Sequence, residues 1–428
     1  MPGRLNMFQR TMLQWNDLHP YNAIHVVRIP AAFDSERLAR AVNGTLAAHG
    51  LTGLTLDRGR GTYEYRGGPV TCEIRILAAG DRHRAPCEEI ERQLNTPFIQ
   101  GESFNPFRFF AVPEPAAVSL GLVYFHAIAD AEAIVLLLRD IVTAYLHPGE
   151  PSRPQPFNLH PPYRDGLFSR PGLLAGKIAA LPVHIRNMRH TCRLVCRDVQ
   201  DLTTAFTFFT LGSEDLKSLV TTAKAWDVKL NDLFLALLVN SLSPTTHWRL
   251  GDPKRRHISI GCIVNLRKET GLAGRRAFGL FLGSWLVTHG LPEGTTLQQL
   301  AGDIRRQTLA LKQRRLYLSP SLDMVLSCLL LPRFSPPQRI KVYRKNYPLW
   351  GGITNLNLNS LWERPPGEKA PDYFRAVSAG PVTPLVLSVT TAGDAVNIGI
   401  SYRPVFFDRP AVEQLKARFV EMVKQLQP

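Results

Sequence analysis

The stretch VYFHAIADAEAIVLLLRDIV, residues Val123 to Val142, decides the fold. It begins as the end of a β-type apolar run, Ser119 to Phe125. A short irregular turn, His126 to Ala129, follows. Asp130 then stands where a helix N-cap belongs, with Glu132 in the first turn to complement the helix dipole. Apolar residues recur at Ile134, Leu137, Leu138, Ile141, Val142 and Tyr145, the 3.6-residue period of a half-buried helix. His126 therefore sits at the C-terminal end of a strand, where α/β folds collect active-site groups.

Working outward, the same strand and helix signals alternate along both halves of the chain. NAIHVVRIP reads as a strand, and DSERLARAVNGTLAAHG as a helix capped by Asp34 or Ser35 and stopped at Gly50. GTYEYRG and VTCEIRIL alternate as paired strands would. In the second half, LNDLFLALLVNSL is apolar on most sides and predicts a buried helix. HISIGCIVNL and LFLGSWLVT predict strands, and PLVLSVTTAGDAVNIGISY a hairpin turning at AGDA. Asp408 and Pro410 open the closing helix. The pattern predicts an α/β fold with mixed sheets in two halves: residues 1–163, a basic and apolar connector at 164–199, and residues 200–428. Pro171 and Pro182 are expected to interrupt any long helix in the connector.

Composition narrows the function. With 428 residues, 45% hydrophobic and 20% charged, the chain is an ordinary globular one. Its formal net charge of +16 favours anionic partners. The longest apolar runs, such as AIVLLL, are far short of the ~20 residues that cross a bilayer. The N-terminus lacks a leader pattern, so a cytoplasmic location is expected. The six cysteines contain no C-x-x-C pair, and HTCRLVC has no standard zinc spacing, so no metal site is expected. Ser284 in LGSWL is not a G-x-S-x-G nucleophile, and no phosphate-binding glycine loop is present. No nucleic-acid motif or stacking platform accompanies the charge.

A carboxylate that orients a tight buried loop needs a cation beside it, and CIVNLRKE offers Arg267. At this point the residues carry a resemblance. FHAIADA resembles the H-H-x-x-x-D-G signature of the condensation-domain superfamily, which includes peptide-synthetase condensation domains, chloramphenicol acetyltransferase, wax ester synthases and plant BAHD acyltransferases. Further segments are similar in order: LNDLFLALLVNSL, IGCIVNLRKE, AFGLFLGSWLV, GGITNLNL (similar to the crossover segment) and SVTTAGDAVNIGISYRPVFFD.

The resemblance implies two chloramphenicol acetyltransferase-like halves forming a pseudo-dimer with a tunnel between them. It implies His126 as general base, Asp130 as a structural residue paired with Arg267, and Thr354 and Asn355 as tunnel residues that steady an oxyanion. Phe125 stands where the signature has its first histidine, and Ala131 where it has glycine. The expected activity is that of a stand-alone, monomeric acyltransferase. It would move an acyl group from a coenzyme A or acyl-carrier-protein thioester to a hydroxyl, or less readily an amine, without tightly bound cofactor or covalent intermediate. The alternative is a non-catalytic condensation-like module that binds a carrier protein, with Phe125 and Ala131 as its support. Basic segments at Lys254–Arg256 and Arg339–Lys345 suit an anionic donor. The apolar and basic stretch 166–190 also suits peripheral contact with a membrane surface.

Overall fold

The computed structural model describes residues 2–69, 71–78, 84–148, 155–159, 171–245, 251–252, 254–318, 321–362 and 369–426. Strand β1 (Gly3–Arg4) and helix α1 (Met7–Asn16) open the chain, followed by β2 (Asn22–Ile29) and α2 (Ser35–Ala48). Three short strands, β3 (Leu54–Asp57), β4 (Thr62–Tyr65) and β5 (Ile74–Ile76), lead to α3 (Arg84–Leu94). Strands β6 (Phe107–Glu114) and β7 (Ala117–Phe125) precede α4 (Ala131–Leu146). Helix α5 (Pro171–His190) leads to β8 (Ala205–Leu211), α6 (Ser213–Ala225) and α7 (Leu230–Leu242). Next come β9 (Ile258–Asn265), β10 (Leu282–His289), α8 (Leu297–Gln313), α9 (Leu322–Leu330) and α10 (Pro336–Asn346). The chain ends with β11 (Gly351–Asn357), β12 (Tyr373–Val377), β13 (Leu385–Ala392), β14 (Ala395–Tyr402) and α11 (Arg409–Lys424).

These strands form two large mixed sheets. One runs β12-β2-β7-β6-β5, the other β10-β9-β11-β13-β14-β8, and β1-β4-β3 makes a small third. Most pairs are antiparallel, but β5 runs parallel to β6, and β11 parallel to both β9 and β13. Every residue of β7 is buried, which explains its unbroken apolar sequence: both faces of the strand are covered. Helices α2 and α4 pack together over the first sheet, and α7, α8 and α11 build the second core. The β13–β14 hairpin turns at Gly393, whose φ of 62° suits glycine, so the AGDA turn lies where expected.

Three local expectations are corrected. GTYEYRG and VTCEIRIL do not pair with each other: β4 lies between β1 and β3, whereas β5 joins β6. GGITNLNL is not the crossing segment, because β11 stays within the six-stranded sheet; β12 is the strand that crosses to pair with β2. Pro171 and Pro182 do not interrupt a long helix, since α5 runs for 20 residues through Pro182. Pro171 is its first residue, where no N–H is needed, and Pro182 costs it one internal hydrogen bond. Residues 164–170 of the expected connector lie outside the described residues. Asp34, not Ser35, caps α2, its carboxylate accepting from the Arg37 N–H.

Candidate active site

β7 ends at Phe125, and the turn that follows is pinned at both ends. The His126 N–H donates to the Tyr21 carbonyl at 3.2 Å, and the Asp130 N–H to the Gly279 carbonyl at 3.0 Å. Asp130 then caps α4 through Oδ1, which accepts from the Ala133 N–H at 3.1 Å. Its Oδ2 accepts from Arg267 Nη1 at 2.7 Å and from the Phe281 N–H at 3.0 Å. Arg267 is itself buried and reaches the Ala277 carbonyl at 3.2 Å. A carboxylate with three donors, one of them a guanidinium, is satisfied despite its burial. This pair fixes the turn that carries His126.

The imidazole is buried. Its Nδ1 lies 3.2 Å from the Ala129 carbonyl, which can only accept, so Nδ1 carries the proton and Nε2 keeps its lone pair. Tyr21 stacks on the ring at 5.6 Å, and Tyr124 meets it edge-on at 5.5 Å. Burial pushes the imidazole down to about 4; the Ala129 contact and Asp130 oppose that shift, and Arg375 adds to it. The ring is therefore neutral at pH 7.

His126 lines a cavity of about 160 Å³ whose walls come from both large sheets. Tyr124, His25 and Arg375 contribute from the first, and Cys262, Trp285 and Thr354 from the second. Arg375 is a buried cation bonded to neutral oxygens: Thr390 Oγ1 at 2.8 Å, the Val389 carbonyl at 2.7 Å and the Thr354 carbonyl at 3.2 Å. Burial lowers its guanidinium to about 10, so it remains charged. His25 is held well below its ordinary value, first by burial and then by Arg375 and His126, and its Nδ1 lies 2.5 Å from the Tyr373 hydroxyl.

Of the residues singled out in the sequence, His126 and Thr354 line this cavity, and Asp130 and Arg267 lie behind it. Asn355 does not join them: it is exposed, as strand alternation next to Thr354 requires. Ala131 is part of the cavity wall, so its methyl occupies space the signature's glycine would leave open. Phe125 points into the core against Phe98 and Phe104. Ser284 lines the cavity from the middle of β10, not from a strand-to-helix elbow. Sequence reasoning missed His25 and Arg375. Their signal was an ionisable residue flanked by apolar ones within a strand, in NAIHVVRIP and YFRAV respectively.

A second, larger cavity of about 300 Å³ adjoins the first, sharing Trp15, Trp285, Leu286, Met324, Leu349 and Val382 with it. α5 and α9 wall its far side. There His184 Nε2 and Asp323 Oδ2 lie 3.5 Å apart, and burial lowers the nearby Lys177 ammonium to about 8. Among the described residues, no group of three or more His, Cys, Asp or Glu side chains is placed to hold a metal ion.

Solved structures share the fold that carries this site. The first condensation domain of the calcium-dependent antibiotic synthetase, in complex with a substrate analogue, superposes with a TM-score of 0.71 at 14% identity, covering 100% of this chain and 96% of that one. This is a condensation-domain-like fold. The starter condensation domain of rhizomide synthetase matches with a TM-score of 0.69 at 12% identity over 99% and 94% of the two chains. The epimerization domain from the third module of tyrocidine synthetase B matches at 0.65 and 13% over 99% and 97%. No protein-family model matches the sequence, and no curated protein matches it.

These neighbours correct the activity expected from the sequence. They are condensation and epimerization domains of synthetases, not coenzyme A-to-alcohol acyltransferases, so the stand-alone transferase acting on a hydroxyl acceptor is set aside. Condensation and epimerization domains share this fold, but the site around His126 departs from a working base in one respect. General-base catalysis favours a pKa near the working pH, and an imidazole near 4 is a weak base there.

Proposed function

We propose that this chain is a non-catalytic condensation-like module that binds an acidic carrier protein and receives its thioester-linked group beside His126. The observation that carries this reading is the setting of His126. The ring is neutral, weakly basic and stacked under Tyr21, and Ala131 narrows the approach to it. In this reading the two large sheets are the paired halves of a pseudo-dimer, and the adjoining cavities are the tunnel between them. Asp130 and Arg267 hold the turn. Arg375, a buried cation without a carboxylate partner among the described residues, faces the electron-rich oxygen of the tethered group, and Thr354 lines its path.

Charge supports the choice of partner. Basic residues that are far apart in sequence meet around Arg193: its guanidinium is lowered by burial and then by the nearby Arg255 and Arg344. Arg193 also donates to the Lys345 carbonyl at 2.9 Å, and Arg255 to the Thr191 carbonyl at 3.3 Å. Like charges held this close favour an acidic surface opposite them.

The test is a titration of labelled acyl-carrier proteins against the native chain and the Arg193→Glu/Arg255→Glu double variant. Saturable, salt-sensitive binding that the double variant weakens about tenfold is expected. No binding across a broad carrier panel would remove the proposal.

A further inference from the structure

Seven of the twelve large hydrophobic residues exposed among the described residues lie on α5 and on the run from α9 through the 3-10 turn Leu331–Arg333 to Phe334. That concentration is not the scattered apolar exposure of an ordinary surface. On α9 and just beyond, Leu326, Leu329, Leu330 and Phe334 are between 43% and 58% exposed. Leu326, Leu329 and Leu330, spaced three and one residues apart, share one side of α9, and Phe334 follows directly after the 3-10 turn. On α5, Ile178, Val183 and Ile185 are 41% to 56% exposed, whereas Lys177 and Met188 face inward. α5 thus leaves three aliphatic side chains in the open while it buries a lysine.

The two helices form one surface. His184 of α5 meets Asp323 of α9, and Ser327 of α9 lies 2.9 Å from the Tyr347 hydroxyl just after α10. Gln14 of α1 anchors α9 from beneath, donating to the Cys328 carbonyl at 2.7 Å. The helices themselves carry mostly basic charge, although Asp17, at the end of α1, pairs with Arg339 at 3.7 Å and Lys177 is buried. Residues 171–190 contain Lys177, Arg186 and Arg189 and no acid, and residues 324–346 contain Arg333, Arg339, Lys341, Arg344 and Lys345 and no acid. The single acid of α9, Asp323, is turned in against His184. Arg333 and Arg339 lie at the edge of the leucine patch, donating to the Leu329 and Phe334 carbonyls.

We infer that α5, α9 and α10 form a docking surface for an anionic lipid bilayer, with the leucines and isoleucines set into the acyl boundary and the arginines and lysines on headgroup phosphates. Apolar side chains without cover, ringed by cations, on helices lying flat against the protein, match the chemistry of that interface. The position adds a reason for the contact. The same two helices wall the larger apolar cavity, and Val183 both lines it and reaches the outer face. A bilayer at this face lies next to the chamber that adjoins His126. This inference does not rest on the carrier-protein reading, although the two surfaces meet at the end of α10, where Arg193 donates to the Lys345 carbonyl and lies near Arg344.

Flotation with vesicles of phosphatidylcholine alone, and with phosphatidylserine added, tests it. The native chain should float with the serine-lipid vesicles and be released by salt. Leu329→Glu/Leu330→Glu, and separately Ile178→Glu, should weaken capture about tenfold or more. Ile99→Glu, an exposed apolar residue elsewhere, should leave capture unchanged. Thermal unfolding of each variant, matched to the native chain, confirms that the fold is kept. Absence of capture by the native chain, or capture unaffected by the patch substitutions, overturns the inference. So does a patch whose substitution abolishes carrier-protein binding while vesicle capture persists.

Discussion

Arg267 and Asp130, 137 residues apart in sequence, form a buried ion pair of 2.7 Å that ties the end of β9 to the head of α4. Asp130 Oδ2 receives two donors at once, so a substitution that keeps the shape but not the charge should still be costly. In Asp130→Asn an amide N–H would face the Arg267 and Phe281 donors. Asp130→Ala also removes the α4 cap. Breaking such a buried pair from one side costs roughly 3–5 kcal/mol, and chemical denaturation of Asp130→Ala and Arg267→Ala should show losses of that order.

His126 makes the chain sensitive to mild acid. Its pKa falls from 6.5 in the unfolded chain to about 4 in the folded one, so below pH 6.5 the unfolded state takes up a proton that the folded state does not. Stability is therefore lost as the pH drops from 6.5 towards 4, by roughly 3 kcal/mol from this residue alone. His25, displaced in the same direction, adds to the slope. Urea unfolding across this range should show a shallower pH dependence in His126→Gln than in the native chain. An unchanged slope would mean that the imidazole is not held neutral by burial.

Arg375 sets part of that shift. After burial, its charge is among the causes that keep His126 low. Arg375→Met should raise the His126 pKa while leaving it below 6.5, because burial remains. Nuclear magnetic resonance titration of the imidazole in the two proteins measures the difference directly. A fall, or no movement, would separate the two residues electrically.

The crossing strand β12 rests on glycine. A Cβ added at Gly399 of β14 would stand 2.1 Å from the Arg375 carbonyl oxygen, and backbone cannot yield as a flexible side chain can. Gly399→Ala should destabilise the chain by about 3 kcal/mol through overpacking, and should expose the β12 amides to hydrogen exchange before those of β2.

The turn at His126, the cap at Asp130 and its cation at Arg267 were legible because each is a local signal: a strand end, a capping position, a charge just past a strand. The course of β12 was not. YFRAV is too short and irregular to show which sheet it joins, and register between distant strands is decided by packing, not by local preference. The polar floor of the cavity was hidden for the same reason. His25 and Arg375 each have apolar neighbours on both sides in their strands, and only the pairing of β12 with β2 sets Arg375 opposite His25. α5 was misread because proline was weighed against the helix alone, without the neighbouring helix that supports it. The weak basicity of His126 depends on burial, which no single stretch of sequence displays.

The role of His126 is read most directly from the free thiol released from an acyl-loaded carrier protein, with amine and alcohol acceptors present, by the native chain and by His126→Ala. A binding module predicts saturable carrier binding in both proteins and no acceptor-dependent release from either. Release by the native chain that falls by a factor on the order of 10² in His126→Ala would contradict it, and would make the imidazole a working base despite its burial.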